Sequence, residues 1–160
     1  MIDMKEILFK AKAINRDNGY HRTNYKNGDW VYGLITRLFD DRFPNLPAEM
    51  TDLNGVSGIE IDHNTICQYT GRTDKNGNKI FKHDVVRDTE EDMTMVVRWD
   101  DEELRFVLDD YGYTGCVMGY AFDTYGFNDF CKTVDKFVEV IGNIYDIPEL
   151  LEGGGKDEIC

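Results

Sequence analysis

Hydrophobic and polar residues alternate in short segments along much of the chain, which is typical of strands with one buried face. The alternating segments are 6–13, 30–38, 58–63, 65–69, 93–99 and 104–108. The last two are joined by the polar turn 100–103 and predict a β-hairpin. Segment 6–13 places Lys10 and Lys12 on one face, and segment 30–38 does the same with Trp30, Tyr32 and Leu34. A continuous apolar run at 137–144 predicts a buried strand.

The stretch from Ile66 to Val86 is the one around which the chain is organised. Two apolar, β-prone runs flank a polar centre that contains Asn76-Gly77. Asn-Gly favours the positive φ angles of a two-residue turn. The stretch therefore predicts a strand, a tight turn and a second strand.

The remaining segments predict irregular structure and few helices. Residues 39–57 contain Pro44, Pro47 and Gly55 and show no sustained period, so we expect an irregular connection with a helical turn near 48–53. The other expected features are an aromatic loop at 111–126, a short helix at 129–134 capped by Asn128, and a brief helix from Asp146 to Leu151.

Short strands joined by turns predict an α+β fold that is mainly β. We expect short antiparallel strands around a small SH3-like barrel, with one or two short helices. The predicted organisation is a single domain at 1–152, with an irregular N-terminal part at 1–65 and a barrel-like core at 66–146. Residues 153–160 contain Gly153-Gly-Gly and read as a flexible acidic tail.

The charge is strongly negative and uneven, with a formal net charge of −13. The segment 88–110 holds ten acidic residues against Arg98 and Arg105, whereas residues 1–30 hold six basic residues against four acids. A chain of this charge repels phosphate backbones and anionic membranes, so direct binding of nucleic acid is disfavoured. A local basic patch near the N-terminus remains open.

Cysteine usage and hydropathy indicate a soluble cytoplasmic protein with reduced thiols. The four cysteines are widely spaced in the sequence; they are Cys67, Cys116, Cys131 and Cys160. The N-terminus lacks the basic-then-apolar pattern of a secretion signal. No run approaches the roughly 20 apolar residues of a membrane span.

A calcium-loop reading of the central turn fails on its spacing. Asp74, Asn76 and Asn78 occupy positions 1, 3 and 5 of such a loop, but Lys79 stands where glycine is needed and Val85 where a bidentate glutamate is needed. The segment is therefore predicted to be a turn without a metal ion.

Two histidines suggest chemistry without completing a site. His83 and Asp84 are adjacent, and adjacent strand residues point to opposite faces, so they do not form a catalytic pair. His63 and Cys67 lie about 13 Å apart if they share a strand, and the chain offers no further ligands at zinc spacing. We predict no catalytic, cofactor-binding or metal-binding residues, and no small-molecule ligand.

Three acidic clusters bracket the predicted hairpin: Glu90–Asp92, Asp100–Glu103 and Asp109–Asp110. One interpretation is that charges belong at solvated turns and discourage edge-to-edge pairing. The alternative is an acidic surface that imitates the phosphates of DNA and occupies a basic host protein.

Four motifs follow one another in the chain and together carry a family resemblance. They are Ile7-Leu-Phe-Lys-Ala, Trp30-Val-Tyr-Gly-Leu, Gln68-Tyr-Thr-Gly-Arg-Thr-Asp-Lys-Asn-Gly-Asn-Lys-Ile-Phe with Asp84-Val-Val, and Val140-Ile-Gly-Asn-Ile-Tyr-Asp-Ile-Pro-Glu-Leu-Leu. The combination resembles the YopX family of small phage and prophage proteins. The resemblance implies an α+β phage protein that forms homo-oligomers, and it implies no activity, cofactor or catalytic residue.

One departure from the family pattern concerns backbone geometry. The family has Phe/Tyr-Glu-Gly-Asp-Ile-Val where this chain has Phe81-Lys-His-Asp-Val-Val, so His83 replaces a glycine. Histidine adopts positive φ less readily than glycine, so a plain strand or a small bulge is expected there instead of a tight turn.

Three functional hypotheses follow. The first is a non-enzymatic phage accessory protein, a protein-interaction module in the host cytoplasm. The second is a homo-oligomeric structural or scaffold protein. The third is an enzyme with an unrecognised site, which predicts a deep cleft that holds His63 or His83.

Overall fold

The computed structural model describes residues 6–15, 23–38, 40–44, 46–110, 119–121 and 133–147. These residues form eleven strands, one 3-10 helix at His63–Thr65 and one short helix, α1, at Val134–Phe137. The strands are β1 Phe9–Lys12, β2 Trp30–Arg37, β3 Ala48–Asp52, β4 Ile59–Ile61, β5 Cys67–Thr73, β6 Lys79–Phe81, β7 Asp84–Asp88, β8 Met93–Asp100, β9 Arg105–Asp110, β10 Gly119–Ala121 and β11 Val138–Asn143. The prediction of a mainly β fold with antiparallel sheets is confirmed.

The chain divides into two compact units, Met1–Tyr69 and Thr70–Cys160. The boundary lies inside β5. The single domain predicted from the sequence stays a prediction.

The N-terminal unit is an antiparallel sheet in the order β4-β3-β2-β1-β5, to which β5 contributes its first residues. The alternation in β1 and β2 sends one set of side chains into a core that contains Ala11, Val31, Met50, Ile59 and Ile61. Beyond β1, Ala13 forms a bridge to Ile61, so β4 also meets the end of β1. The opposite side chains of β1 and β2 therefore belong to an outer face.

One strand in this unit was missed. Ala48–Asp52, where the sequence predicted a helical turn, forms β3 between β2 and β4. Ala, Glu and Met favour helices in isolation, but Ala48 and Met50 alternate with polar neighbours and both are buried in the core. Backbone pairing on both sides overrides the local preference.

The C-terminal unit is built on an antiparallel sheet in the order β10-β9-β8-β7-β11. Its core contains Ile80, Val86, Met95, Leu108 and Val138, all nearly inaccessible to solvent. The predicted hairpin is confirmed as β8 and β9, and the strand predicted at 137–144 as β11, but β11 is buried only at Val138 and Asn143, so the prediction of a buried strand was wrong.

The finer predictions for this unit are only partly met. Within the described residues the strands form no closed barrel, so the SH3-like barrel stays a prediction. The tail 153–160, the capping residue Asn128 and most of the aromatic loop and of the helix at 129–134 lie outside the described residues. No helix in the described part of the chain is long and apolar enough to cross a membrane.

Candidate interaction surface

His83 occupies a tight turn between β6 and β7, with a φ of 69°. Its N–H donates to the carbonyl of Val97 at 2.7 Å, and its carbonyl accepts from the N–H of Ile144 at 3.1 Å. The expectation of a plain strand or bulge was therefore wrong. Backbone hydrogen bonds on both sides hold the left-handed conformation that glycine would adopt more readily.

The imidazole of His83 packs against Tyr145. The Tyr145 hydroxyl lies 3.2 Å from Nδ1, and the two rings meet edge to face at 5.6 Å. Burial, with a smaller effect from the charge of Lys82, lowers the pKa of His83 to about 4. The ring is therefore neutral at physiological pH.

Asp84 points into the turn and not toward a reaction centre. Its Oδ2 accepts the N–H of Phe81 at 2.8 Å, and its Oδ1 accepts from Nδ2 of Asn143 at 2.9 Å. Both Asp84 and Asn143 are buried. The contacts of His83 and Asp84 thus bind the β6–β7 turn to the end of β11.

His63 and Cys67 are not on one strand as predicted. His63 is exposed on the 3-10 helix, whereas Cys67 begins β5, is buried, and its thiol donates to the carbonyl of Thr65 at 3.3 Å. Among the residues that the structure describes, no cluster of three His, Cys, Asp or Glu side chains is arranged to hold a metal ion.

The central turn is organised by Asp74, which is 2 % exposed. Its carboxylate accepts the N–H groups of Asn76, Asn78 and, across the unit, Val140 at 2.8–2.9 Å. Burial opposes ionisation, but these hydrogen bonds prevail and lower the pKa of Asp74. Only Gly77 has positive φ, so the predicted two-residue turn with two positive φ angles is wrong. The turn is instead a longer loop that ends on a glycine.

The same pattern, an aspartate carboxylate that accepts a backbone N–H of its own turn, recurs at other turns. In six aspartates one carboxylate oxygen accepts the N–H of the residue two positions later: Asp40, Asp52, Asp62, Asp74, Asp88 and Asp100. These are Asx-turns, in which a short carboxylate replaces a backbone acceptor. Six acidic residues in the described part of the chain thus serve turn formation, out of the 31 in the whole sequence.

The predicted acidic clusters divide between turns and solvent. Asp92 pairs with Arg87, Glu103 with Arg105, and the buried Asp109 with Arg98. Asp101 and Glu102 are exposed at the tip of the β8–β9 hairpin, beside Leu104.

A cavity of about 190 Å³ lies in the C-terminal unit. It is lined by Arg72, Thr133, Val134, Asp135 and Lys136. Neither His63 nor His83 lines it.

The strand register creates a surface that the sequence did not reveal. Lys12 is paired with Trp30 and Lys10 with Tyr32, so the two lysines and the two aromatic rings share the outer face of the N-terminal sheet. We define the outer sheet face as the surface formed by the side chains of Lys10, Lys12, Trp30, Tyr32, Leu34 and Leu53.

Two ammonium groups hold the Trp30 ring. Nζ of Lys12 lies 4.5 Å and Nζ of Lys10 lies 4.8 Å from the ring centroid, within the range of a cation–π interaction. Lys12 is partly exposed, whereas Lys10 is buried, with 6 % of its surface exposed. The ring is therefore fixed in place, with positive charge beside it.

The rest of the outer sheet face is apolar and exposed. Tyr32 is 40 %, Leu34 53 % and Leu53 67 % exposed, and the N–H of Leu53 donates to the carbonyl of Tyr32. The result is an apolar strip with a cationic border. Both alternations were visible in the sequence, but only the register of β1 and β2 shows that they lie on one face.

The comparisons with known proteins give a family assignment. No curated protein matches the chain. The family model described as YopX protein matches residues 1–152, which is nearly the whole length. The four motifs that carried the resemblance lie within the match, and the chain belongs to the YopX family.

Proposed function

We propose that this protein is a non-enzymatic phage or prophage accessory protein that acts in the host cytoplasm by binding a protein through its outer sheet face. The observation that carries the proposal is the concentration of exposed apolar side chains on and around β2 and β3. Those with large hydrophobic side chains are Tyr32, Leu34, Leu38, Phe43, Leu46 and Leu53.

An exposed apolar group of this kind favours an interface over bare surface. Contiguous apolar area in contact with water is costly, and where it persists on a folded protein it usually marks a binding site. In the described part of the C-terminal unit the corresponding residues, Leu104 and Ile141, stand apart in sequence. The N-terminal unit is therefore the better candidate for the binding surface.

The contacts of the two histidines in the described part of the chain favour binding over catalysis. Catalytic histidines need a pKa near the working pH and access to a substrate. His63 is exposed, while His83 packs on Tyr145 with its pKa lowered to about 4. An imidazole with so low a pKa is a weak general base at neutral pH.

A capture experiment tests this proposal. The tagged protein and its Leu34→Glu variant are used to capture partners from host extract that also contains an untagged copy of the chain carrying Leu34→Glu, so that only the tagged protein can supply an intact outer sheet face. Ile141→Ser is the matched control, since Ile141 is a 40 % exposed strand residue of the C-terminal unit. The protein and the control should capture the same partner, and Leu34→Glu should lose it because a charge then enters the apolar strip. Capture that is unchanged by Leu34→Glu, or absent with all three proteins, would contradict the proposal.

The homo-oligomeric scaffold is the second candidate. The observation that favours it is an acidic hairpin tip with an exposed leucine on the same chain, which complements the outer sheet face.

A further inference from the structure

We infer that the occupant of the outer sheet face is a second copy of this chain, which docks the tip of its β8–β9 hairpin, Asp101–Leu104. The inference rests on the proposed function, since it uses the same face, and it names the partner. It depends on three features: an exposed leucine and two exposed carboxylates on the tip, and an apolar face bordered by lysines that complements them.

The tip displays its side chains to solvent. Asp100 accepts the N–H groups of Glu102 and Glu103 at 2.9 and 3.1 Å, and the Glu103 carboxylate pairs with Arg105. These contacts fix the turn and leave Asp101 and Glu102 exposed. The tip therefore offers two carboxylates on a defined backbone.

Leu104 is the unusual residue of the tip. Its side chain is 71 % exposed, and its φ of 53° lies in the left-handed region, which is unfavourable for leucine. Glycine or asparagine would suit this position better, and the exposed side chain contributes little to the packing of its own unit. A leucine at such a site is explained if it is buried against another molecule.

The outer sheet face matches this tip in chemistry. Leu104 fits the strip of Tyr32, Leu34 and Leu53, where it would lose its contact with water. Lys12, at the border of the strip, can meet a carboxylate of the tip, and Lys10 adds positive potential beside Trp30. The unit that carries the tip is also the more acidic of the two. Residues 1–69 hold eight basic and ten acidic side chains, whereas residues 70–160 hold ten basic and twenty-one acidic side chains.

The contact joins two different surfaces of the chain. Two copies can exchange it reciprocally in a two-fold dimer, or successive copies can pass it on in a ring or an open chain. A contact built from one hairpin tip is small, so the affinity is expected to be weak and to fall with added salt.

Sedimentation velocity over a concentration series tests the inference. The wild-type chain should form species that grow with concentration. Leu104→Gly should weaken association about tenfold or more, because one buried leucine is lost. The same variant should unfold at the wild-type temperature or above, since glycine tolerates the φ of 53°. An unfolding temperature at or above that of the wild type would show that the variant is folded and has lost only its docking.

Mixing the two deficient variants makes the test sharper. Leu34→Glu lacks a working face but keeps its tip, and Leu104→Gly lacks the tip but keeps its face. Neither should associate alone, and an equimolar mixture should give a one-to-one complex that does not grow. Self-association by Leu104→Gly at the wild-type level would overturn the inference, and so would a wild-type chain that stays monomeric throughout. If the wild-type chain stays monomeric but captures a host protein that Leu34→Glu loses, the inference fails and the proposed function survives.

Discussion

At the scale of single residues, His83 shows how a motif can change a residue and keep its turn. Where the family has glycine, this chain keeps positive φ with a histidine and adds a ring contact to Tyr145. The sequence predicted a plain strand or a small bulge at this position, and that prediction was wrong. The two backbone hydrogen bonds to Val97 and Ile144 come from segments distant in sequence, and local preference could not reveal them.

A pair of substitutions separates the backbone strain at His83 from the contacts of its ring. His83→Gly and His83→Ala both remove the ring, but only alanine keeps a Cβ in the left-handed region. The glycine variant should therefore be more stable than the alanine variant by about 1 kcal/mol in urea unfolding. Equal stability of the two would mean that positive φ carries no cost here.

The protonation of His83 should make the protein less stable in mild acid. Its pKa is about 4 in the folded state and about 6.5 when unfolded, so the unfolded chain binds more protons between these values. The free energy of unfolding should thus be highest above pH 6.5 and should decrease as the pH falls toward 4. The loss should be about 2 kcal/mol, less than the whole pKa difference because the ring is partly accessible to water.

The control for this pH dependence is His83→Gly, which removes the titrating group. Its free energy of unfolding should vary little between pH 6.5 and pH 4.5. A wild-type slope that persists in the variant would assign the effect to other groups.

At the scale of elements, aspartates at the ends of strands define the turns. Asp74 is the most deeply engaged of those with a lowered pKa, since its carboxylate also accepts the N–H of Val140 in β11. Asp100 accepts N–H groups only from its own turn and is partly exposed. The sequence predicted both turns. Only the structure shows that one of them also anchors a distant strand.

Asp74→Asn tests this anchoring. The amide cannot accept all of the N–H donors, so buried donors lose their partner and the free energy of unfolding should fall by about 3 kcal/mol. Asp100→Asn is the matched control and should cost much less, because water replaces the lost acceptor. Similar losses for the two variants in urea unfolding would contradict the assigned role of Asp74.

Gly33 explains one residue of the Trp30-Val-Tyr-Gly-Leu motif. A Cβ at Gly33 would lie 1.9 Å from the backbone oxygen of Thr51, because β2 and β3 approach closely there. Gly33→Ala should therefore lower the free energy of unfolding by about 3 kcal/mol, since the backbone must move. The control Thr36→Ala changes an exposed residue of the same strand and should stay within about 0.5 kcal/mol of wild type. Thermal unfolding of both variants checks the prediction.

The elements with strong alternation could be predicted from the sequence, and those defined by their neighbours could not. The β8–β9 hairpin was predicted because both strands alternate around a polar turn. β3 was missed because its residues favour a helix and its hydrogen bonds come from β2 and β4. The outer sheet face was missed for a similar reason, since pairing register is not encoded in either strand alone.

At the scale of the whole molecule, charge and apolar exposure are distributed in opposite ways. Among the described residues, most of the exposed large hydrophobic ones belong to the N-terminal unit, whereas most of the excess acidic charge of the sequence belongs to the C-terminal unit. Three of its aspartates, Asp74, Asp88 and Asp100, form turns, whereas Asp101 and Glu102 are exposed at the hairpin tip. Docking between copies gives a role to these two exposed residues and to the exposed Leu104.

Trp30 offers the most direct measurement of this docking. The chain has two tryptophans, so Trp99→Phe leaves Trp30 as the sole reporter on the outer sheet face. Quenching of its fluorescence by acrylamide should decrease as protein concentration rises, because the docked tip covers the ring. In the Leu104→Gly background the quenching should stay constant over the same series. Quenching of Trp30 that does not change with concentration when Leu104 is present would contradict the account.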